Sequence, residues 1–215
     1  RPVTAAPLRA ASSCRVQFAP DTELSRRVLS PAAPAESGGM EDARFVRFEE
    51  EDGSLSYYAT YTAYDGRRIL PQLIKSPDLV EFRVATMSGP MVHNKGMALF
   101  PKRIDGEFAV LSRQDNESIF LMRSDDVRHW SNAEVILRPE FDWEVVQIGN
   151  CGSPIETEHG WLVITHGVGV MRRYVLGAIL LDLRQPSKVI GRLREPLLEP
   201  LEEEQHGLVS NVAYS

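Results

Sequence analysis

Apolar and polar residues along this chain alternate with the two-residue period of half-buried strands, in short runs broken by Gly, Asp and Pro. The pattern predicts strands over Ala43 to Glu49, Leu55 to Tyr64, Arg68 to Ile74, Met97 to Pro101, Glu107 to Arg113 and Ser118 to Arg123. Further strands are predicted over Glu134 to Leu137, Trp161 to His166, Tyr174 to Asp182 and Val189 to Leu193. Almost no segment carries sustained helical spacing, so the reading is all-β.

The runs also repeat. Tyr58-Ala-Thr-Tyr-Thr-Ala63, Phe108-Ala-Val-Leu-Ser-Arg113 and Trp161-Leu-Val-Ile-Thr-His166 each open on an aromatic residue, 50 and then 53 positions apart. Each follows a turn at Gly53, Gly106 or Gly160, and Ser76-Pro-Asp78 returns as Ser124-Asp-Asp126. Short strands at such a long fixed period read as blades of a β-propeller; a β-sandwich with chance similarity is the alternative. Equivalent places in a rotational repeat converge on one axis. The sixth positions are Ala63, Arg113 and His166, so Arg113 and His166 are expected to face one pocket.

The chain has 215 residues. At this period it holds about three blades between Met40 and Leu193, whereas closed propellers need at least about four. An incomplete propeller is therefore expected over residues 39–215, preceded by an Ala/Pro/Ser-rich arm over 1–38. An unclosed propeller exposes sheet faces and edges, which keeps homo-oligomers among the expectations.

Net charge is −6 with both signs interspersed, which argues against a nucleic-acid partner. No run approaches the roughly 18 apolar residues of a membrane span, and no membrane partner is expected. Cys14 and Cys151 form neither a disulfide framework nor a metal-ligand spacing. The reading is a cytoplasmic protein without a metal or other cofactor.

Three groups of residues carry candidate chemistry. In Gly39-Met-Glu41-Asp42-Ala-Arg44, paired acids at the mouth of a strand beside an arginine make Asp42 a candidate general acid. The same pattern also fits Asp42 capping a turn while Arg44 pairs with Glu41. Lys95, Arg113 and His166 together suit a phosphate or a developing negative charge, with Asn94 and Asp115 as weaker candidates for substrate contacts. Arg113 paired with Asp115 and a buried His166 are the simpler structural readings. The polar loop Gln147-Ile-Gly149-Asn150-Cys151-Gly-Ser153 lacks the strand-to-helix setting of a nucleotide loop, and Glu144 and Glu156 flank it as candidate bases.

Taken in order, Gly39 to Arg44, Tyr58 to Gly66, Asn94 to Pro101, Ser112-Arg113, Gly160-Trp161 with Thr165 to Gly167, and Gly177 to Leu183 resemble glycoside hydrolase family 130. The resemblance runs from about Gly39 to Ser215. It implies a five-bladed propeller, of which this chain holds about three blades, that cleaves β-mannosides with inversion. Phosphorolysis to mannose 1-phosphate is the leading reaction. Hydrolysis by water, and a non-catalytic propeller fragment that binds glycans or proteins, are the alternatives.

The resemblance places the catalytic acid at Asp42, with Ala43 where the family's proline is usual. That acid is thought to protonate the glycosidic oxygen through a sugar hydroxyl while phosphate attacks the opposite face. Phosphate is already a nucleophile, so no second carboxylate is needed as base. Arg113 and His166 match two anion-binding positions, and Lys95 stands where an arginine is often found. Gln147 occupies a position where phosphorylases commonly place lysine, which weakens the phosphate site and keeps hydrolysis, with Glu144 or another acid as base, close behind. The implied partners are a β-mannosyl oligosaccharide and inorganic phosphate as co-substrate.

Overall fold

The computed structural model describes residues 13–204 and 211–213. Within them the chain forms three antiparallel sheets, each built on a four-stranded meander. The first comprises β2 (Gly39–Glu49), β3 (Leu55–Tyr64), β4 (Ile69–Ser76) and β5 (Glu81–Thr86), with β1 (Cys14–Gln17) added beside β5. The second is β6 (Ala98–Leu99), β7 (Phe108–Ser112), β8 (Ile119–Ser124) and β9 (Glu134–Leu137). The third is β10 (Gln147–Asn150), β12 (Gly160–Val168), β13 (Tyr174–Leu181) and β14 (Val189–Arg192), and β11 (Ile155–Thr157) pairs with β12. These are three consecutive propeller blades.

Side-chain alternation explains how the blades stack. In β7, Phe108 and Val110 join Phe48, Tyr58, Leu73 and Trp130 in the core between the first two blades. Ala109 and Leu111 point the other way, to Phe100, Trp161, Val163 and Ile179 between the second and third. Every residue of β7 is buried, as a strand packed on both faces requires. Aromatic contacts lock both interfaces: Phe48 lies 5.4 Å from Phe108, and Phe100 meets Trp161 edge-on at 5.2 Å. Burying side chains of this size contributes about 1.5–3 kcal/mol each.

The repeat is confirmed in kind and corrected in register. Tyr58, Phe108 and Trp161 all lie on the second strand of their blade. The ladder, however, pairs Phe108 with Ser124 and Tyr57 with Ser76, so Tyr57 is the true counterpart of Phe108. A slip of one residue turns a side chain to the opposite face. Tyr58 accordingly faces the second blade, whereas Phe108 and Trp161 face the blade before their own. The counterpart of Arg113 in the first blade is then Thr62 rather than Ala63.

Hairpin turns reuse one device. The Oδ1 atoms of Asp65, Asp78, Asp115 and Asp182 each accept hydrogen bonds from the amides two and three residues on, at 2.6–2.9 Å. The described part of the arm also has a role in the blade. Glu36 is buried and accepts from the amides of Ala32 and Ala33 at 2.7 and 2.9 Å and from the Tyr61 hydroxyl. Burial pushes the Glu36 carboxyl up, but these donors outweigh it and hold its pKa below the ordinary value.

Candidate active site

Asp42 sits on a β-bulge. Strand pairing matches Glu41 with Thr62 and Arg44 with Thr60, so Asp42 and Ala43 together oppose the single residue Tyr61. Asp42 takes a left-handed φ of 57°, a conformation that aspartate tolerates better than most side chains. The extra residue re-aims its carboxylate into a small space bounded by Thr60, Tyr61, Thr62, Lys95 and Gly96. Glu36 grips Tyr61 from behind, so the arm supports the bulge. A larger cleft of about 590 Å³ also touches Asp42; Met40, Phe45, Ile74, Leu79 and Phe82 make most of its lining apolar, with Arg27 and Glu41 adding charge.

The turn Asn94-Lys95-Gly96 joins the acid to the rest of the site. Asn94 and Gly96 both have positive φ, 65° and 87°. Lys95 Nζ lies 3.3 Å from Glu41 Oε1 and 3.5 Å from Asp42 Oδ2. The neighbouring Asn94 donates from Nδ2 to the Arg113 carbonyl at 2.8 Å and accepts the Lys95 amide at 2.9 Å. Lys95 is thus placed beside the acid. Arg44 does not pair with Glu41; its Nη1 donates to the carbonyls of Gly96 and Asn150, each at 2.8 Å.

Arg113, just beyond β7, and His166, within β12, do meet. Arg113 Nη1 is 3.2 Å from His166 Nε2. Burial, reinforced by the charges of Arg113 and Arg44, pushes the His166 pKa down to about 3. The imidazole is therefore neutral near pH 7. With Arg113 donating, Nε2 is the acceptor and the proton lies on Nδ1, which faces the buried Cys151 Sγ at 3.9 Å; this tautomer is inferred from the contacts.

Strand β10 supplies the floor. Gly149 pairs with His166 across the ladder, and a Cβ there would come within 2.6 Å of the imidazole and 3.4 Å of Arg113 Cδ. Only glycine leaves room for the two side chains to cross this strand. Gln147 is buried; with its amide oriented to satisfy both ends, the oxygen accepts from Arg113 Nη1 at 2.8 Å and the nitrogen donates to the Asn116 carbonyl at 3.3 Å.

Three acids have other employment. The Asp115 Oδ1 closes its turn, and burial, which raises its pKa, is outweighed by the amides of Ser118 and Glu117, leaving a net lowering. Arg113 has no ion pair with Asp115 among the described contacts. Glu144 is fully buried, takes Arg192 and the amides of Glu140 and Phe141 on Oε2, and has its pKa raised chiefly by burial. Glu156 pairs with Lys102 at 2.7 Å. Among the described residues no cluster of three or more His, Cys, Asp or Glu could hold a metal ion.

Sequence reasoning names Asn150 and Gly149 only as parts of a polar loop and does not name Tyr61 for the site. The signal for the first two was the stretch Gln147–Asn150 itself, which is a wholly buried strand in spite of its polar residues.

The family model described as β-1,4-mannooligosaccharide phosphorylase matches residues 20–215. A 1,2-β-oligomannan phosphorylase of Thermoanaerobacter sp. is 37% identical over 201 residues, covering 89% of this chain and 64% of that protein. A β-1,2-mannobiose phosphorylase of the same organism is 38% identical, covering 89% and 63%. The solved β-1,2-mannobiose phosphorylase of Listeria innocua, in complex with β-1,2-mannobiose, matches with a TM-score of 0.75 at 29% identity, over 86% of this chain and 53% of that one. The chain therefore spans less than two thirds of the length of these relatives. With three consecutive blades carrying these groups on their first two strands and adjoining turns and a match from residue 20 to residue 215, the chain belongs to glycoside hydrolase family 130.

Proposed function

We propose that the protein carrying this chain phosphorolyses a β-linked mannoside with inversion. One observation carries the reading: consecutive residues of a single turn, Asn94 and Lys95, reach the Arg113 carbonyl and the Asp42 carboxylate. An acid and a partly buried cation are thereby held on one scaffold. Inorganic phosphate, bound by Arg113 with Lys95 and His166 beside it, attacks the anomeric carbon from the face opposite the aglycone. The glycosidic bond breaks, its electron pair stays on the leaving oxygen, and the proton of Asp42 reaches that oxygen through a sugar hydroxyl. The products are α-mannose 1-phosphate and the released sugar.

The relatives' names favour a β-1,2-linked substrate. Gln147 adds no charge, but its contact with Arg113 orients the guanidinium. Hydrolysis through Glu144 is disfavoured, since that carboxylate is sealed with Arg192. The scheme needs no cofactor beyond phosphate as co-substrate. Asn94 serves the turn, and a sugar contact from Asp115 would have to use an oxygen other than Oδ1. Both cysteines are free, which supports a reducing, cytoplasmic setting. Among the described residues no helix is long and apolar enough to cross a membrane.

Asp42→Asn tests the assignment. Turnover of β-1,2-mannobiose with phosphate is expected to fall by at least about a hundredfold; unchanged turnover would remove Asp42 from catalysis.

A further inference from the structure

The bulge that aims Asp42 is stapled from within its own strand. Arg44 is the first residue of β2 back in register after the bulge. Its Nη1 donates to both Gly96 O and Asn150 O at 2.8 Å, and Asn150 Nδ2 adds a 3.1 Å bond to the same Gly96 carbonyl. The three residues belong to three successive blades. Gly96 follows Lys95, whose ammonium faces Asp42; Asn150 follows Gly149, the ladder partner of His166. Each carbonyl that Arg44 holds is thus one residue away from the acid's neighbour or from the floor beneath the anion-binding pair.

We propose that Arg44 is a positioning residue that fixes the separation between the Asp42 carboxyl and the Arg113–His166 pair. The inference rests on the reading of Asp42 as the acid and of Arg113 as the phosphate ligand. A guanidinium bonded to two carbonyls is a strong, directional tie that spans all three blades, whereas the Thr60–Met97, Glu49–Pro101 and Ile148–Glu117 hydrogen bonds each join only two. Misplacing one reacting group by about 1 Å costs on the order of a hundredfold in rate. Because one nitrogen makes both bonds, a lysine ammonium could reproduce them in part.

The test compares phosphorolysis by the whole protein, Arg44→Lys and Arg44→Met, with hydrogen exchange measured on each. Arg44→Met is expected to lose about a hundredfold in kcat and Arg44→Lys about tenfold, while KM for phosphate stays within about twofold in both. A purely structural role would lower the amount of folded enzyme without this graded split between kcat and KM. Unchanged kcat in both variants, or losses that appear in phosphate KM instead, overturn the proposal. If Arg44→Met does not fold, Arg44→Lys alone decides by the same criterion. If the unsubstituted protein makes no mannose 1-phosphate, the reading of Asp42 fails first. The staple is then judged by amide exchange at residues 42–44 and 95–97 of Arg44→Lys, and unchanged protection there overturns it.

Discussion

Arg113 and His166 lie 53 residues apart in the chain and 3.2 Å apart in space, guanidinium Nη1 to imidazole Nε2. Each comes from the second strand of its blade or the residue just beyond it, so the contact is a product of blade stacking. A neutral imidazole does not cancel the charge of the guanidinium beside it. Arg113→Met is therefore expected to raise KM for phosphate about ten- to a hundredfold, the worth of one charge-assisted hydrogen bond of about 1.5–3 kcal/mol. Initial rates at varied phosphate check this; a KM within twofold of the unsubstituted enzyme would remove Arg113 from the phosphate site.

Gly149 tests the floor under the same pair. Gly149→Ala would put a methyl group 2.6 Å from the His166 ring. Overpacking of this kind costs about 1–3 kcal/mol. Both a lower melting temperature and a higher phosphate KM are expected, because relief of the clash must displace His166 and with it Arg113. Phosphate binding unaltered in a stably folded variant would show that the pair has room to spare.

How much of this was legible in the sequence depends on where the signal lay. Runs of apolar, β-branched and aromatic residues between turns declared themselves: the spans predicted for Leu55–Tyr64 and Glu134–Leu137 match β3 and β9. β10 was read as a loop because its residues are polar and glycine-rich, the character of a strand that lines a site. β1, β5 and β11 were missed because short strands beside turns carry too few alternations to stand out. The one-residue misregister at Tyr58 arose because Tyr57 and Tyr58 are both aromatic, and only the ladder to Ser76 tells them apart. Arg44 shows what pattern cannot supply, since its partners include two carbonyls, 52 and 106 residues away.

His166 makes a prediction about pH. Its folded-state pKa is depressed to about 3, so the unfolded chain takes up its proton first, at about 6.5. The stability it contributes is full above pH 6.5 and is lost as pH falls toward 3, at about 1.4 kcal/mol per pH unit. Glu36 and Asp115, whose pKa values are also depressed, add losses in the same direction below their unfolded values. Melting temperatures from pH 7 to 4 should fall, and less steeply in His166→Gln; an equal slope in both would show that His166 is not the group responsible.

The buried pair Glu144–Arg192 separates stability from catalysis. Glu144→Ala removes one of two carboxylates from the largely buried Arg192 guanidinium, which keeps Glu140 and the Arg138 carbonyl, and should cost about 1.5–3 kcal/mol. Folded Glu144→Gln should keep its kcat, because the carboxylate faces no substrate. A hundredfold lower kcat in a well-folded Glu144→Gln enzyme would instead revive Glu144 as a base.

The most direct measurement incubates the whole protein with β-1,2-mannobiose, with and without inorganic phosphate, and follows the anomeric product. The expected result is α-mannose 1-phosphate formed in step with phosphate consumed, with no turnover when phosphate is withheld and none in Asp42→Asn. Free mannose released at the same rate with or without phosphate would contradict it.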